Sequence, residues 1–140
     1  MPTLFTRIIQ GELPARFVWK DDTAVAFLSI NPLKDGHTLV VPREEVDHWI
    51  DASPQLLDHV FRVCHAIGQG LQRAFRPTRV GLIIAGLEVP HLHTHVVPID
   101  GPDDLNFANA DGNPDEGLLD RNAERVREAL RELDYDHVTE

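Results

Sequence analysis

The stretch Pro90-His91-Leu92-His93-Thr94-His95-Val96-Val97-Pro98 constrains the fold of this chain most tightly. Read as a strand over His91 to Ile99, it alternates strictly, so His91, His93 and His95 share one face. Leu92, Thr94 and Val96 take the other. Neighbouring histidines then sit roughly 6–7 Å apart. The strand needs a packed core under its apolar face and an environment for a row of imidazoles on its other face.

The rest of the chain supplies that core. Leu4, Phe5, Ile8 and Ile9 repeat at helical spacing and predict a short helix over residues 3–10, ended near Gly11. Arg16 to Lys20 reads as a strand, Asp21-Asp22 as a turn, and Ala24 to Ile30 as the second strand of a hairpin with Val25, Phe27 and Ser29 on one face. His37 to Val41 is a third strand, stopped by Pro42. Ser53-Pro54 opens the longest helix, with serine as N-cap and proline at the first helical position. Leu56, Leu57, Val60, Phe61, Cys64, Ile67, Leu71 and Phe75 trace its apolar face, and Pro77 ends it. Val80 to Leu87 reads as a buried strand. Five strands around one long amphipathic helix predict an α+β domain.

Residues 1–100 form the expected domain, and residues 101–140 an acidic C-terminal extension. Positions 100–117 read as an irregular loop. Asp120 to Leu133 reads as a helix with a narrow stripe of Ala123, Val126, Leu130 and Leu133. That stripe either docks on the body or a partner, or belongs to a solvated acidic terminal helix.

Composition excludes several function classes. The 140 residues are enough for one core without disulfides or a structural metal. The single cysteine, Cys64, excludes a disulfide framework and a cysteine-based zinc finger. The net charge of -10 divides unevenly: residues 1–100 hold 9 basic and 11 acidic side chains, residues 101–140 hold 4 and 12. No basic cluster is present to neutralise nucleic-acid phosphates or to meet an anionic membrane. No apolar run approaches the roughly 20 residues that span a bilayer, and the opening residues lack a signal peptide's apolar stretch. The expectation is a cytoplasmic enzyme or binding domain. One phosphate group remains an accessible ligand, because backbone N–H groups and histidines bind it without net basicity.

Three readings of the histidine row compete. Two histidines two apart on a strand can bind zinc together, although no Cys pair and no His-Glu-x-x-His helix accompanies them. The row can also be structural or merely exposed. The third reading is nucleophilic catalysis at phosphorus. A neutral imidazole is a good nucleophile and leaving group near pH 7, and divides one phosphoryl-type transfer into two easier steps. It needs its other ring nitrogen fixed by an acceptor, and donors around the oxygens that gain charge. Flanking histidines on the same face supply such donors with no divalent metal. The remaining histidines, His48, His59, His65 and His137, read as surface or packing residues, and Trp19 and Trp49 as core or interface anchors.

The sequence at this point resembles the histidine triad (HIT) family, in its Hint-like branch. His91-Leu92-His93-Thr94-His95-Val96-Val97 matches the His-x-His-x-His-x-x signature. Leu4-Phe5-Thr6-Arg7-Ile8-Ile9 with Glu12-Leu13-Pro14-Ala15 is similar to the family's opening helix. Asp21-Asp22 with Ala26 to Pro32 resembles its first hairpin, and Gly36 to Pro42 a further signature. The resemblance implies a five-stranded antiparallel sheet with one long and one or two short helices, and a two-fold homodimer. It implies attack on the α-phosphorus of a purine nucleotide or nucleotide conjugate, a phosphoramidate or phosphoanhydride, and no cofactor. His93 would form the nucleotidyl intermediate, His91 and His95 would orient it and contact the phosphate, and His37 would complete the site. Leu4, Phe5, Phe27, Leu28 and Ile30 match base-pocket positions, where plain core is the competing reading.

The chain also departs from the family pattern. Ser29 stands where an aspartate usually holds the ribose hydroxyls. Gly86-Leu87-Glu88-Val89 replaces Gly-Gln-Ser-Val, placing Glu88 where a serine assists at the phosphate. An ionised Glu88 near a phosphate repels it, so Glu88 points away, acts protonated as an acid, or marks different chemistry. The zinc-binding Cys-x-x-Cys of some members is absent. These departures keep open a nucleotide-binding regulatory module with weak or lost catalysis, and a metal-binding domain as a more distant alternative.

Overall fold

The computed structural model describes residues 1–140. Five strands, β1 (Phe17–Lys20), β2 (Ala24–Leu28), β3 (Thr38–Pro42), β4 (Arg79–Ile83) and β5 (Thr94–Ile99), form one sheet in the order β1-β2-β3-β5-β4. All pairings are antiparallel. Three α-helices accompany it: α1 (Leu4–Ile9), α2 (Pro54–Phe75) and α3 (Glu116–Glu132).

The two faces of the sheet carry different cores. On one face, Ala24, Ala26, Leu28, Val40, Leu92 and Val96 pack with Leu56, Val60, Val63, Cys64, Ile67 and Leu71 of α2. On the other, Val25, Phe27, Leu39 and Val41 form a small cluster with Phe5 of α1. The alternation of β2 explains this division: all five of its side chains are buried, in turn against one face and the other. The histidine face belongs to the second, thinner side, which α1 only partly covers.

Capping residues set the helix starts: Ser53 caps α2 as the sequence predicts, whereas α1 begins at Leu4 with Thr3 as its cap rather than its first residue. The Thr3 side chain accepts from the Thr6 N–H, and the Ser53 side chain from the Leu56 N–H with Pro54 at the first position. The α2 face is rotated from the expected one. Phe61 is 65% exposed and Leu57 half-buried, whereas Val63, Ala66 and Gly70 are buried. The reason is α3, which packs along α2. Leu130 lies so close to Gly70 that a Cβ there would come within 2.8 Å of it.

Several expectations are corrected. Val80 to Leu87 is not a buried strand: β4 ends at Ile83 and lies at the sheet edge, leaving Leu82 and Ile84 each 42% exposed. The triad strand begins at Thr94 rather than His91, because the His91 N–H bonds the Val89 carbonyl and the Leu92 N–H bonds Val46 outside the sheet. The second hairpin strand stops at Leu28, and β3 runs from Thr38 through Pro42. The terminal helix starts at Glu116, capped by Asp115. It is docked, with Ala123, Val126 and Leu130 inside the main core and Leu133 half-buried. Positions 100–117 contain two single 3₁₀ turns, Pro102–Leu105 and Phe107–Asn109.

The two sheet edges are treated differently. The C-terminal residues close the β1 edge, through a bridge between Trp19 and Val138 and bonds from Lys20 to His137 and from Thr139 to Val18. The β4 edge stays open. Trp19 is core, whereas Trp49 is 46% exposed. His59 bonds Asp21 at 2.8 Å, and His137 packs on Trp19. No helix is long and apolar enough to cross a membrane.

Docking of α3 makes a direct prediction. Leu130→Ala is expected to lower unfolding stability by about 2–5 kcal/mol in urea titrations, the cost of emptying a packed core site. Cys64 is buried, and burial pushes its thiol up to about 11. A thiol reagent is expected to label it only when the protein unfolds.

Candidate active site

Hydrogen-bond partners fix the state of each histidine on the open face. The His93 Nδ1 lies 2.7 Å from the carbonyl oxygen of His91. A carbonyl only accepts, so Nδ1 carries the proton and Nε2 keeps its lone pair. On the other side of the site, the Leu33 N–H donates to His37 Nδ1 at 3.0 Å. The His37 proton therefore sits on Nε2, which is 2.9 Å from His95 Nδ1. His95 accepts there and carries its own proton on Nε2. Backbone groups at the two ends thus order one lone pair, on His93, beside one N–H donor, on His95, with ring centroids 5.0 Å apart.

Burial keeps the array neutral. Burial, with His95 as a lesser cause, pushes His37 down to about 3. Burial and then His93 push His95 down to about 4. His93 is also lowered by burial; its bond to the His91 carbonyl and the charge of Glu88 act in the opposite direction. His91 is fully buried, held by Pro42 O at 2.7 Å from Nε2 and by the Thr3 hydroxyl at 2.7 Å from Nδ1.

His37, His93 and His95 line a cleft of about 760 Å³. Its apolar end is built by Leu4 and Phe5 of α1 with Phe27, Leu28 and Ile30 of the hairpin, and Ser29 lies among them. The Phe5 ring stands edge-on to His93, centroids 4.9 Å apart, and edge-on to Phe27 at 5.7 Å. Each of these sequence-assigned residues except His91 faces the cleft; His91 lies behind it and supports His93 through its carbonyl. Phe5, Phe27 and Leu28 are also buried core, so both readings of them hold. The Ser29 hydroxyl accepts from the Asn31 N–H at 3.2 Å, and its own proton is free to donate. Glu88 lies exposed at the cleft rim, near enough to act on His93 but without a hydrogen bond to it.

Some lining residues escaped sequence reasoning. Phe107 packs edge-on to His95 at 4.9 Å. Its segment is tied across the cleft mouth by Asp111 N–H to Pro32 O and by Asn31 Nδ2 to Asp111 O. Phe107 was visible as one of two aromatics after the triad. Tyr135, the other, packs on Trp19 away from the cleft. Thr3, which touches His91 from behind the cleft, was not singled out by the sequence. No group of three or more His, Cys, Asp or Glu side chains is placed to hold a metal ion.

A family profile described as HIT domain matches residues 10–101. The chain belongs to the histidine triad family. An uncharacterized HIT-like protein of Mycobacterium tuberculosis is 34% identical, over 96% of both chains. Among solved structures, a hypothetical histidine triad nucleotide-binding protein of Sulfolobus tokodaii superposes with a TM-score of 0.81 at 26% identity, covering 92% of each chain. A HIT family hydrolase of Legionella pneumophila gives a TM-score of 0.59 at 27% identity, over 69% of this chain and 91% of that one. The sheet order and helix placement are those of the HIT fold. The profile ends near β5, so α3 and the Phe107 segment of this HIT protein lie beyond it.

The neutral array predicts a pH dependence. Above pH 6.5 the folded and unfolded chains both hold His37 and His95 neutral, so neither contributes. Below 6.5 the unfolded chain takes up protons that the folded site refuses until about pH 3 to 4. Stability is therefore lost as pH falls from about 6.5 to 4. Urea midpoints are expected to drop across that window, and to drop less steeply in His37→Asn.

Proposed function

We propose that this HIT protein is a nucleotide hydrolase or transferase that acts at the α-phosphorus of a purine nucleotide through a nucleotidyl-His93 intermediate. One observation carries the reading: His93 presents a bare Nε2 to an open cleft, next to a neutral N–H donor on His95. The base enters the apolar end, between Leu4, Phe5 and the hairpin residues Phe27, Leu28 and Ile30. The phosphate then lies over the histidines.

The His93 Nε2 lone pair forms a bond to phosphorus, and the bond to the leaving group breaks on the opposite side: an amine departs as its nitrogen takes a proton from solvent in the open cleft, a phosphate as its anion. His95 Nε2–H donates to a phosphate oxygen as charge gathers there. His93 becomes cationic in the adduct, while its Nδ1–H bond to the His91 carbonyl persists. Water then breaks the nitrogen–phosphorus bond, releasing the nucleoside monophosphate and the neutral ring. Ser29 offers one neutral hydroxyl toward the sugar, where a carboxylate would hold two.

Glu88 favours a second reading, a nucleotide-binding regulatory module. Its carboxylate at the rim opposes an incoming phosphate, although it also offsets the charge of the adduct. Turnover of adenosine 5′-monophosphoramidate separates the two. For an enzyme, chelator-washed protein turns it over, acid quench traps an adduct, and His93→Ala lowers kcat at least about a thousandfold. Nucleotide binding with neither turnover nor adduct would establish the binding module instead.

We also propose a two-fold homodimer through the β4 edge. That edge is unpaired and exposes Leu82, Ile84 and, beyond it, Leu87 at 92%. Sedimentation is expected to give a dimer for the wild type and a monomer for Leu82→Arg combined with Ile84→Arg.

A further inference from the structure

One hydroxyl group joins the start of α1 to the histidine row. Thr3 Oγ1 accepts from the Thr6 N–H at 3.0 Å, which caps the helix. The same oxygen lies 2.7 Å from His91 Nδ1. His91 Nε2 faces the Pro42 carbonyl at 2.7 Å and must donate to it, so in the neutral ring Nδ1 is the acceptor and takes the Thr3 proton. The Thr6 hydroxyl, 3.2 Å from Thr3, is the more distant of the two acceptors open to that proton. Its own proton goes to the Glu45 carboxylate at 2.5 Å. Glu45 Oε1 also accepts from the Thr3 N–H at 2.9 Å.

The adjoining Val46 carbonyl takes the Leu92 N–H at 2.6 Å. The turn after β3 therefore grips both the first residues of the chain and the middle of the triad segment. An ordered path runs from Glu45 through Thr3 to the His91 ring, and from the His91 carbonyl to His93 Nδ1. Capping alone does not require this arrangement, since a cap oxygen needs only to accept. Donation to His91 is a separate service.

We propose that Thr3, held in place by Glu45, is a positioning residue for the nucleophile: its hydroxyl donates to His91 Nδ1, fixes that ring as a neutral Nε2–H tautomer, and so sets the carbonyl that orients His93. The same contact links α1, which brings Phe5 against His93, to the reacting histidine. The kinetic consequence rests on His93 acting as the nucleophile; the tautomer does not.

Substitutions at position 3 separate capping from donation. Asp is a good N-cap but only accepts when ionised, whereas Ser caps and donates. In Thr3→Asp, α1 is kept and His91 Nδ1 gains a proton from solvent. Nitrogen-15 NMR of the imidazoles is expected to show His91 as the neutral Nε2–H tautomer in wild type and Thr3→Ser, and with a proton on Nδ1 in Thr3→Asp. With adenosine 5′-monophosphoramidate, Thr3→Asp is expected to lose about tenfold in kcat, with KM changed less than about twofold. Thr3→Ser should restore wild-type values.

A His91 ring protonated on Nδ1 in the wild type would overturn the proposal without any variant. So would a Thr3→Asp protein with wild-type kcat and an unchanged His91 ring, which would leave Thr3 as a cap alone. If the wild type has no turnover, the NMR arm still decides the tautomer, and only the His93 chemistry fails.

Discussion

The bond from His93 Nδ1 to the His91 carbonyl is the constraint on which the site depends. A backbone acceptor cannot change its role, so it chooses which imidazole nitrogen is left to react. At the far end, the Leu33 N–H makes the complementary choice for His37, and through it for His95. Two main-chain groups thereby set the direction of every proton on the open face. Burial then protects that order, because it disfavours the charged form of each ring in the row. The one carboxylate lining the cleft, on Glu88, lies at its rim.

The fold makes such an array possible by giving the sheet unequal faces. The heavy core of α2 and α3 holds β2, β3 and β5 from below. This leaves the upper face free to carry polar rings over a thin apolar cluster of Phe5, Val25, Phe27, Leu39 and Val41. The acidic extension takes part in both layers. Its helix completes the lower core beside α2, and its Phe107 turn lies over His95 and is pinned to the Asn31-Pro32 loop. The segment beyond the family profile therefore shapes the cleft mouth as well as the stability of the domain.

Much of this was legible in the sequence because its signals were local. The helix cap at Ser53 and the two-residue alternation of the triad depend on neighbours alone. The resemblance pointed to His37 and to the apolar residues of the cleft. The departures came from tertiary context. Val80 to Leu87 is apolar enough for a buried strand, yet an apolar run does not reveal that its strand is the last in a sheet. His91 keeps its place in the row although the backbone there is not strand, because Val46 and Pro42 hold that segment. Phe61 lies on the wrong side of α2, since α3 dictates which stripe is covered. Neither the double duty of Thr3 nor the reach of Phe107 leaves a trace in periodicity, as both are contacts across long stretches of chain.

The central claim is that the proton positions on His37, His93 and His95 are fixed before any substrate arrives. Long-range nitrogen–proton NMR of imidazole-labelled protein at pH 7.5 tests it most directly. The account predicts three neutral rings, with His93 protonated on Nδ1 and His37 and His95 protonated on Nε2. A His93 ring protonated on Nε2, or an imidazolium at any of the three, would contradict it.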